Sequence, residues 1–531
     1  MISQLPTRKF YALSLALIII VGLISSWPAL HNGYYHLDDS AQIITNQQIR
    51  SLSPSSLRVI LGTFNIGMYQ PLATLSFAIE YYFWQLNPLA YHAGNIFLHL
   101  LNGCLVFLLL LKLSRRKYLA FAIAIFFIAH PVQVESVDWI SARSNLLYAT
   151  FFLSALIVYL SDDQKPKLRT SLLVILLFGL SLLSKVSAIV LPLVLVAIDY
   201  YRNNLSVKSI VNKIYLFALS AIFIAIAFVG KANAYSFDPE QYNLLSRLSF
   251  LPISLVSYWQ KMLLPINLQI FYPYPEVHQG WLNSTLYLSW IIVPVVAIWL
   301  WRWRSRPLTI LGASWMIITI LPQLPWIPAN QVMIADRYLY LPLIGFAMVM
   351  ADLLSYLREK RYLRDSLLAG LVIILIASLI ILSLIRHLAW RDNISLALDA
   401  TIASPWSGLA YFHTANAYLT LRDYSSALAY VDHSIYLDPD NVYAQNLSAG
   451  ISAQYFQDYF SAIEKYNRAL RKFPTCAECY FGRAYVLKQL ANYPAALTDL
   501  NLALQNTSDP LLQQEINQAI KSVREQLESK P

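Results

Sequence analysis

Long uninterrupted apolar runs separated by short basic clusters decide what this chain can fold into. The first, Phe10 to Leu30, is at about 20 residues long enough to cross a bilayer. No small-residue cleavage site follows it, so it reads as a retained first helix. In lipid every backbone N–H and C=O must be satisfied within the protein, so these runs are expected to be helices. With 57 % of its 531 residues hydrophobic and only 13 % charged, most of the chain has lipid as its solvent. A formal charge of +10 would suit nucleic acid in a soluble protein. Here the basic residues sit between apolar runs, the pattern of membrane orientation, so nucleic-acid binding is discounted.

Cytoplasmic loops are enriched in Lys and Arg, so the basic clusters serve as fixed inner points. They are Arg8-Lys9; Arg115-Arg116-Lys117; Lys165, Lys167 and Arg169; Arg202, Lys208 and Lys213; Arg302, Arg304 and Arg306; and Arg358 to Arg364. Between two inner points the chain crosses an even number of times. Thr170 to Tyr201 is therefore expected to be two short helices with Lys185 at an outer hairpin, because one long helix would bury Lys185 and put its basic flanks on opposite sides. Leu248 to Leu264, interrupted by Pro252, is assigned to the outer interface or a re-entrant piece. Tyr118 to Ala129 is short for a span, yet the chain must exit there and return through Asn145 to Leu160, with Lys117 snorkelling at its inner end. The last spans are placed at Tyr338 to Tyr356 and Ser366 to Ile385. The expectation is an all-α body over residues 1–392 with about eleven transmembrane helices, the N-terminus inside and the C-terminus outside.

After Pro405 the composition changes and self-similarity appears with a period of roughly 34 residues. Asp423-Tyr424, Asp458-Tyr459 and Asn492-Tyr493 line up, followed by Ala427, Ala462 and Ala496. Small residues recur at Ala415, Gly450 and Ala484, and Pro439 and Pro474 close the first two units. Small residues at fixed offsets let antiparallel helices approach closely, and the proline stops the second helix. The pattern resembles tetratricopeptide repeats, about three between Gly408 and Pro510, with Leu511 to Lys530 as a capping helix. Residues 400–531 are thus expected to form an extracytoplasmic α-solenoid, either a rigid stub or a groove for a partner protein. Of three cysteines, only Cys476 and Cys479 are close in sequence, and a disulfide or two idle thiols are favoured over a metal site.

If this path holds, residues 31–91 contain the first outward loop, opening with YHLDDSAQIITNQQI. Adjacent carboxylates at a membrane exit can act as a general base, bind a cation or cap a helix. On the same face, HPVQVESVDWISARS brings His130, Glu135 and Arg143, SK brings Lys185, and ADRYLYLP brings Asp336 and Arg337. Charges at membrane depth are costly and mark functional sites or ion pairs that lock helices together. Carboxylates with Arg and Lys at an outer face suit sugar transfer from a lipid-phosphate donor, whose leaving phosphate needs cations while the acceptor hydroxyl needs a base.

The segments LDDSAQIITN, YQPLATLSF, LNPLAYHAGNIFLHLLN, HPVQVESVDWISARSNLL, LLSKVSAIVLP, DRYLYLPLIGF and RHLAWRD follow in that order before the repeats. Together they resemble the transmembrane-and-tetratricopeptide protein O-mannosyltransferases, integral-membrane glycosyltransferases of the GT-C fold, and the resemblance covers nearly the whole chain. It implies a catalytic acid at Asp38 or Asp39, undecided between them. It implies donor-phosphate binding by Arg143, Lys185 and Arg337, with His130, Glu135 and Asp336 in support. Mannose is then the expected sugar and Ser or Thr of a protein the expected acceptor. Transfer would be inverting, from a polyprenyl-phosphate donor, with no cofactor and no metal required. Two departures bear on donor choice: the family commonly has Arg where this chain has Gln70, and Glu where it has Val186. A lipid or polysaccharide acceptor stays open, as does a non-catalytic scaffold presenting the repeats. The few repeats and short chain lean toward a bacterial inner membrane and periplasm over endoplasmic reticulum.

Overall fold

The computed structural model describes residues 7–35, 37–161, 167–232, 244–275, 277–278, 281–325, 332–362, 364–507 and 509–528. Lys165 of the third basic cluster and Lys530 of the expected capping helix lie outside them. The chain divides into two compact units, Met1–Ser395 and Leu396–Pro531. Among the described residues both are helical, apart from a two-stranded ribbon that pairs Val277–His278 with Trp281–Leu282 in the first.

Among the described residues of the first unit, five helices are long and apolar enough to cross a membrane: Arg8–His31, Pro88–Ser114, Ile140–Tyr159, Ser284–Arg302 and Asp365–Ala389. A sixth arises if Lys117–Ala129 and Pro131–Asp138, bent by 55°, are one span. Pro131 supplies the bend because it cannot donate to the preceding turn, and His130 Nδ1 accepts the next free donor, the Val132 N–H, at 3.3 Å. Leu168–Ser184, Val186–Tyr201, Ile214–Gly230 and Pro307–Gln323 are shorter apolar helices. The chain is broken at Lys185, whose backbone is extended (φ −160°, ψ 133°). Leu168–Ser184 packs along Arg143–Tyr159, whereas Leu191–Tyr201 packs on Pro307–Ile320. Leu244–Leu263 runs as one helix through Pro252.

Polar residues inside the apolar runs explain how the helices register. On Pro88–Ser114, His92, Asn95, His99 and Asn102 recur at three- and four-residue spacing, so they share one face, and all are buried. Asn95 donates to the carbonyls of Val137 (3.1 Å) and Trp139 (3.3 Å). Asn102 donates to the Leu146 carbonyl at 3.0 Å and to the Tyr340 hydroxyl at 3.1 Å, and accepts from Thr150 Oγ1 at 2.8 Å. His99 Nδ1 shares the Tyr340 hydroxyl at 2.9 Å. With no water to compete, such bonds fix rotation about the helix axis that apolar packing alone leaves loose.

The second unit contains three helix pairs, Gly408–Thr420 with Tyr424–Leu437, Val442–Gln454 with Tyr459–Lys472, and Ala477–Gln489 with Tyr493–Asn506, followed by Pro510–Glu528. The aligned acidic or amide residues are N-caps: Asp423 accepts the Ser426 N–H at 3.0 Å, Asp458 the Ser461 N–H at 3.0 Å and Asn492 the Ala495 N–H at 3.4 Å. Each follows a residue with positive φ, namely Arg422, Gln457 and Ala491, so the same turn is built three times. Ala427, Ala462 and Ala496 are wholly buried where the paired helices meet.

Pro307–Ile320 and Pro342–Glu359 cross at two glycines. A Cβ on Gly312 would lie 2.6 Å from the Gly345 carbonyl oxygen, and one on Gly345 would lie 2.7 Å from the Met316 nitrogen. Both obstacles are backbone and cannot rotate away. Gly345→Val is expected to cost about 1–3 kcal/mol through overpacking and to lower the unfolding temperature of the detergent-solubilised protein; an unchanged melt would show that the helices separate freely there.

Candidate functional site

The first helix ends in the turn Trp27–His31, and Asp38 and Asp39 then lead into the short π-helical turn Ser40–Ile44. Asp39 is wholly buried. Its Oδ2 accepts the Tyr35 backbone N–H at 3.1 Å, and its Oδ1 accepts the Ser141 backbone N–H at 2.9 Å together with the Ser141 hydroxyl. Asp39 therefore fastens the loop to the segment before Arg143. Burial pushes its pKa up to about 6, although the Ser141 and Tyr35 donors pull it down. Asp38 is only partly buried, and among the described residues no hydrogen bond engages it. Burial raises its pKa above the ordinary carboxylate value, and the Arg337 charge works against that rise. The adjacent acids thus divide: Asp39 is an anchor, and Asp38, near the Arg337 charge, makes no hydrogen bond among the described residues.

Arg337 lies in the turn Asp336–Leu339. Glu135, 2 % exposed, accepts from its guanidinium Nη1 and also from its backbone N–H at 2.9 Å. The guanidinium lies 4.9 Å from the ring centroids of both Trp139 and Tyr338. Lys185 Nζ is 5.3 Å from the same Tyr338 ring and donates to Asn145 Oδ1 at 2.5 Å. Two basic groups therefore share one aromatic ring; burial and then the Arg337 charge push the Lys185 pKa down to about 7, Glu135 opposes that fall, and Asp38 lies within electrostatic reach of Arg337. Glu135 and Asp38 balance the two basic groups, and the Arg337 side chain, 17 % exposed, is the part of the cluster open to a ligand. Asp336 stands beside this group, buried, with Oδ1 accepting the Tyr272 hydroxyl at 2.7 Å. Burial, then the neighbouring Glu135, push its pKa upward.

Two expected site residues are placed differently. Arg143 is 1 % exposed, and all three of its nitrogens are engaged. Nε donates to Asn95 Oδ1 at 2.8 Å, Nη2 to the Tyr91 carbonyl at 2.6 Å, and Nη1 to Glu80 and, at 3.4 Å, to Ser76. It is a buried ion pair tying Pro71–Trp84 and Pro88–Ser114 to its own helix, which corrects its assignment as a phosphate ligand. His130 is likewise buried, with Nε2 facing the Met262 carbonyl at 3.1 Å. With Nδ1 taken by the Val132 N–H, both ring nitrogens are engaged and His130 is a structural group. The sequence reading missed Asn145, which holds Lys185, and the buried pair of His387 Nδ1 with Asp138 Oδ1 (2.7 Å) and Oδ2 (2.8 Å). All three lie inside quoted motifs, SARSN, VDW and RHLAW, but each looks ordinary until the fold brings its partner.

The long apolar helices fit an integral membrane protein, and the loops at their ends gather a cluster of charged side chains. No family model matches the chain. It is similar to the protein O-mannosyl-transferase TMTC3 of Mus musculus, 22 % identical over 475 residues that cover 80 % of this chain and 51 % of that protein. It is also similar to the protein O-mannosyl-transferase F38B6.6 of Caenorhabditis elegans, 24 % identical over 75 % of this chain and 59 % of that one. A shorter stretch of 145 residues is 31 % identical to the protein O-mannosyl-transferase TMTC1 of Homo sapiens. The chain spans about half the length of the first two relatives. The resemblance seen in the motifs is thus one to curated protein O-mannosyl-transferases.

Arg143→Met would leave Glu80 buried and unpaired, and is expected to destabilise the protein by about 3–5 kcal/mol. Thermal unfolding in detergent measures this, with Arg143→Met/Glu80→Leu recovering part of the loss. A stable single variant would return Arg143 to the list of candidate ligands.

Proposed function

We propose that this protein is a membrane glycosyltransferase that moves a sugar, mannose by analogy with its relatives, from a polyprenyl-phosphate donor to a hydroxyl of a protein. The observation that carries the reading is the unengaged Asp38 carboxylate within electrostatic reach of Arg337, which shares the Tyr338 ring with Lys185. In the proposed reaction the acceptor oxygen attacks the anomeric carbon while Asp38 takes its proton. The bond from that carbon to the phosphate oxygen breaks on the opposite face, so the sugar inverts, and polyprenyl phosphate leaves as an anion toward Lys185 and Arg337. Glu135 and Asn145 orient the two cations, and Asp39 sets the loop. The chemistry needs no metal or cofactor.

The proposal keeps a GT-C type body of about eleven crossings, counting the shorter apolar helices as spans, with the pocket on the extracytoplasmic face. It reads the three helix pairs as tetratricopeptide repeats on the same side, presenting a surface to the acceptor or a partner protein. The relatives named above are animal proteins, which lends no support to the bacterial setting expected from chain length.

Incubation of the purified protein with radiolabelled polyprenyl-phosphate mannose and a membrane-free host extract tests the reading. Label in protein bands supports it, label in lipid or polysaccharide moves the acceptor, and failure to bind or consume the donor removes it. Asp38→Asn is expected to slow transfer by about 100-fold or more while the protein stays folded, whereas Asp39→Asn should lower stability as well as activity. An active Asp38→Asn would reject the base. Because the pKa of Asp38 lies above the ordinary value, its base form is lost as pH falls through that raised pKa. Transfer should therefore decline on the acid side by about tenfold per pH unit, and a flat acid limb would contradict the assignment. Lys185→Ala should weaken donor binding by roughly 10- to 100-fold, the value of a charge-assisted hydrogen bond, with little change for the acceptor. Equal donor affinity in the variant would make Lys185 structural.

A further inference from the structure

Cys476 and Cys479 are joined by a disulfide at the start of the helix Ala477–Gln489. The ring it closes spans a separation of three residues, so it constrains the unfolded chain far less than a long-range bridge would. The local fold has other support. Cys479 is wholly buried among Ala449, Tyr466 and Val486, and Arg483 of the same helix binds Asp499 through two bonds of 2.7 Å. A structural staple is therefore a weak account of the pair.

The two sulfurs are not equivalent. Cys476 is partly exposed and is the N-cap residue, with Sγ accepting the Cys479 N–H at 3.1 Å, whereas Cys479 is closed off from solvent. The free N–H groups and dipole at a helix start stabilise a thiolate at Cys476, which makes it a good leaving group from a mixed disulfide, while its exposure makes it the point of entry. The remaining cysteine, Cys104, belongs to the other unit, within Pro88–Ser114.

We propose that Cys476–Cys479 is a redox-active disulfide that exchanges with external thiols through Cys476. An external thiol attacks Cys476 Sγ, losing its proton as the mixed disulfide forms, and Cys479 leaves as a thiolate that takes up that proton. A second external thiol then attacks the mixed disulfide at its external sulfur, and Cys476 departs. Two external thiols are oxidised to one disulfide, and the protein disulfide is reduced to two thiols by the same two electrons. The proposal is independent of the glycosyltransferase reading.

The full-length Cys104→Ser protein in detergent is equilibrated in glutathione buffers from fully reduced to fully oxidised, acid-quenched and labelled with maleimide-polyethylene glycol. The pair should convert between zero and two labelled thiols as the ratio changes. Adding Cys479→Ser should accumulate a glutathione adduct at Cys476 by intact mass, while adding Cys476→Ser should leave Cys479 at least about tenfold slower to label in the native protein. Faster exchange with a thioredoxin-like dithiol protein than with glutathione would support the proposal with a protein partner, and the reverse would support it with a small thiol. A pair that stays oxidised throughout, one that stays reduced in fully oxidised buffer, or equal labelling of the two single thiols would overturn it. If the single variants misfold, the titration with both cysteines present still decides.

Discussion

The bond set between Glu135 and Arg337 is the constraint on which the charged cluster depends. A carboxylate 2 % exposed in a body surrounded by apolar helices has to be neutralised, and Glu135 achieves this by taking both the guanidinium and the backbone N–H of Arg337. That double attachment fixes the turn Asp336–Leu339 against the short helix Val134–Asp138. Once the turn is fixed, Tyr338 becomes the wall on which both Arg337 and Lys185 rest. The same physics acts at Arg143 and Glu80, where the pair is fully used in holding helices together. What separates the two sites is what remains unspent: a partly exposed guanidinium and a free neighbouring carboxylate in one, nothing in the other.

Parts of the fold were legible because the cue was local. The break at Lys185 could be read from a charged residue flanked by serines in an otherwise apolar stretch, and the repeat spacing marked Asp423, Asp458 and Asn492, which serve as N-caps. Packing partners were less legible. Parity placed an outer hairpin at Lys185 but named no packing partner, and the helices on either side pack on different neighbours because complementary surfaces, not sequence adjacency, decide that. Pro252 was expected to interrupt its segment, yet a single helix accommodates it.

At the site, residue types were readable and their employment was not. DD announces two acids; only the fold shows that Asp39 meets Ser141 and is consumed as an anchor while Asp38 stays free. Arg143 looked equivalent to Arg337, since both are arginines at the ends of outward segments. Its partner Glu80 lies 63 residues earlier, in a helix with no sequence cue pointing to it. His387 and Asp138 stand 249 residues apart and were invisible as a pair for the same reason.

The account is tested most directly by determining where a polyprenyl-phosphate sugar lies in the protein, by electron cryomicroscopy with a non-transferable donor analogue. The account predicts the phosphate between Lys185 and Arg337, with the anomeric carbon turned toward Asp38. A donor phosphate bound elsewhere, or a sugar facing away from Asp38, would contradict it.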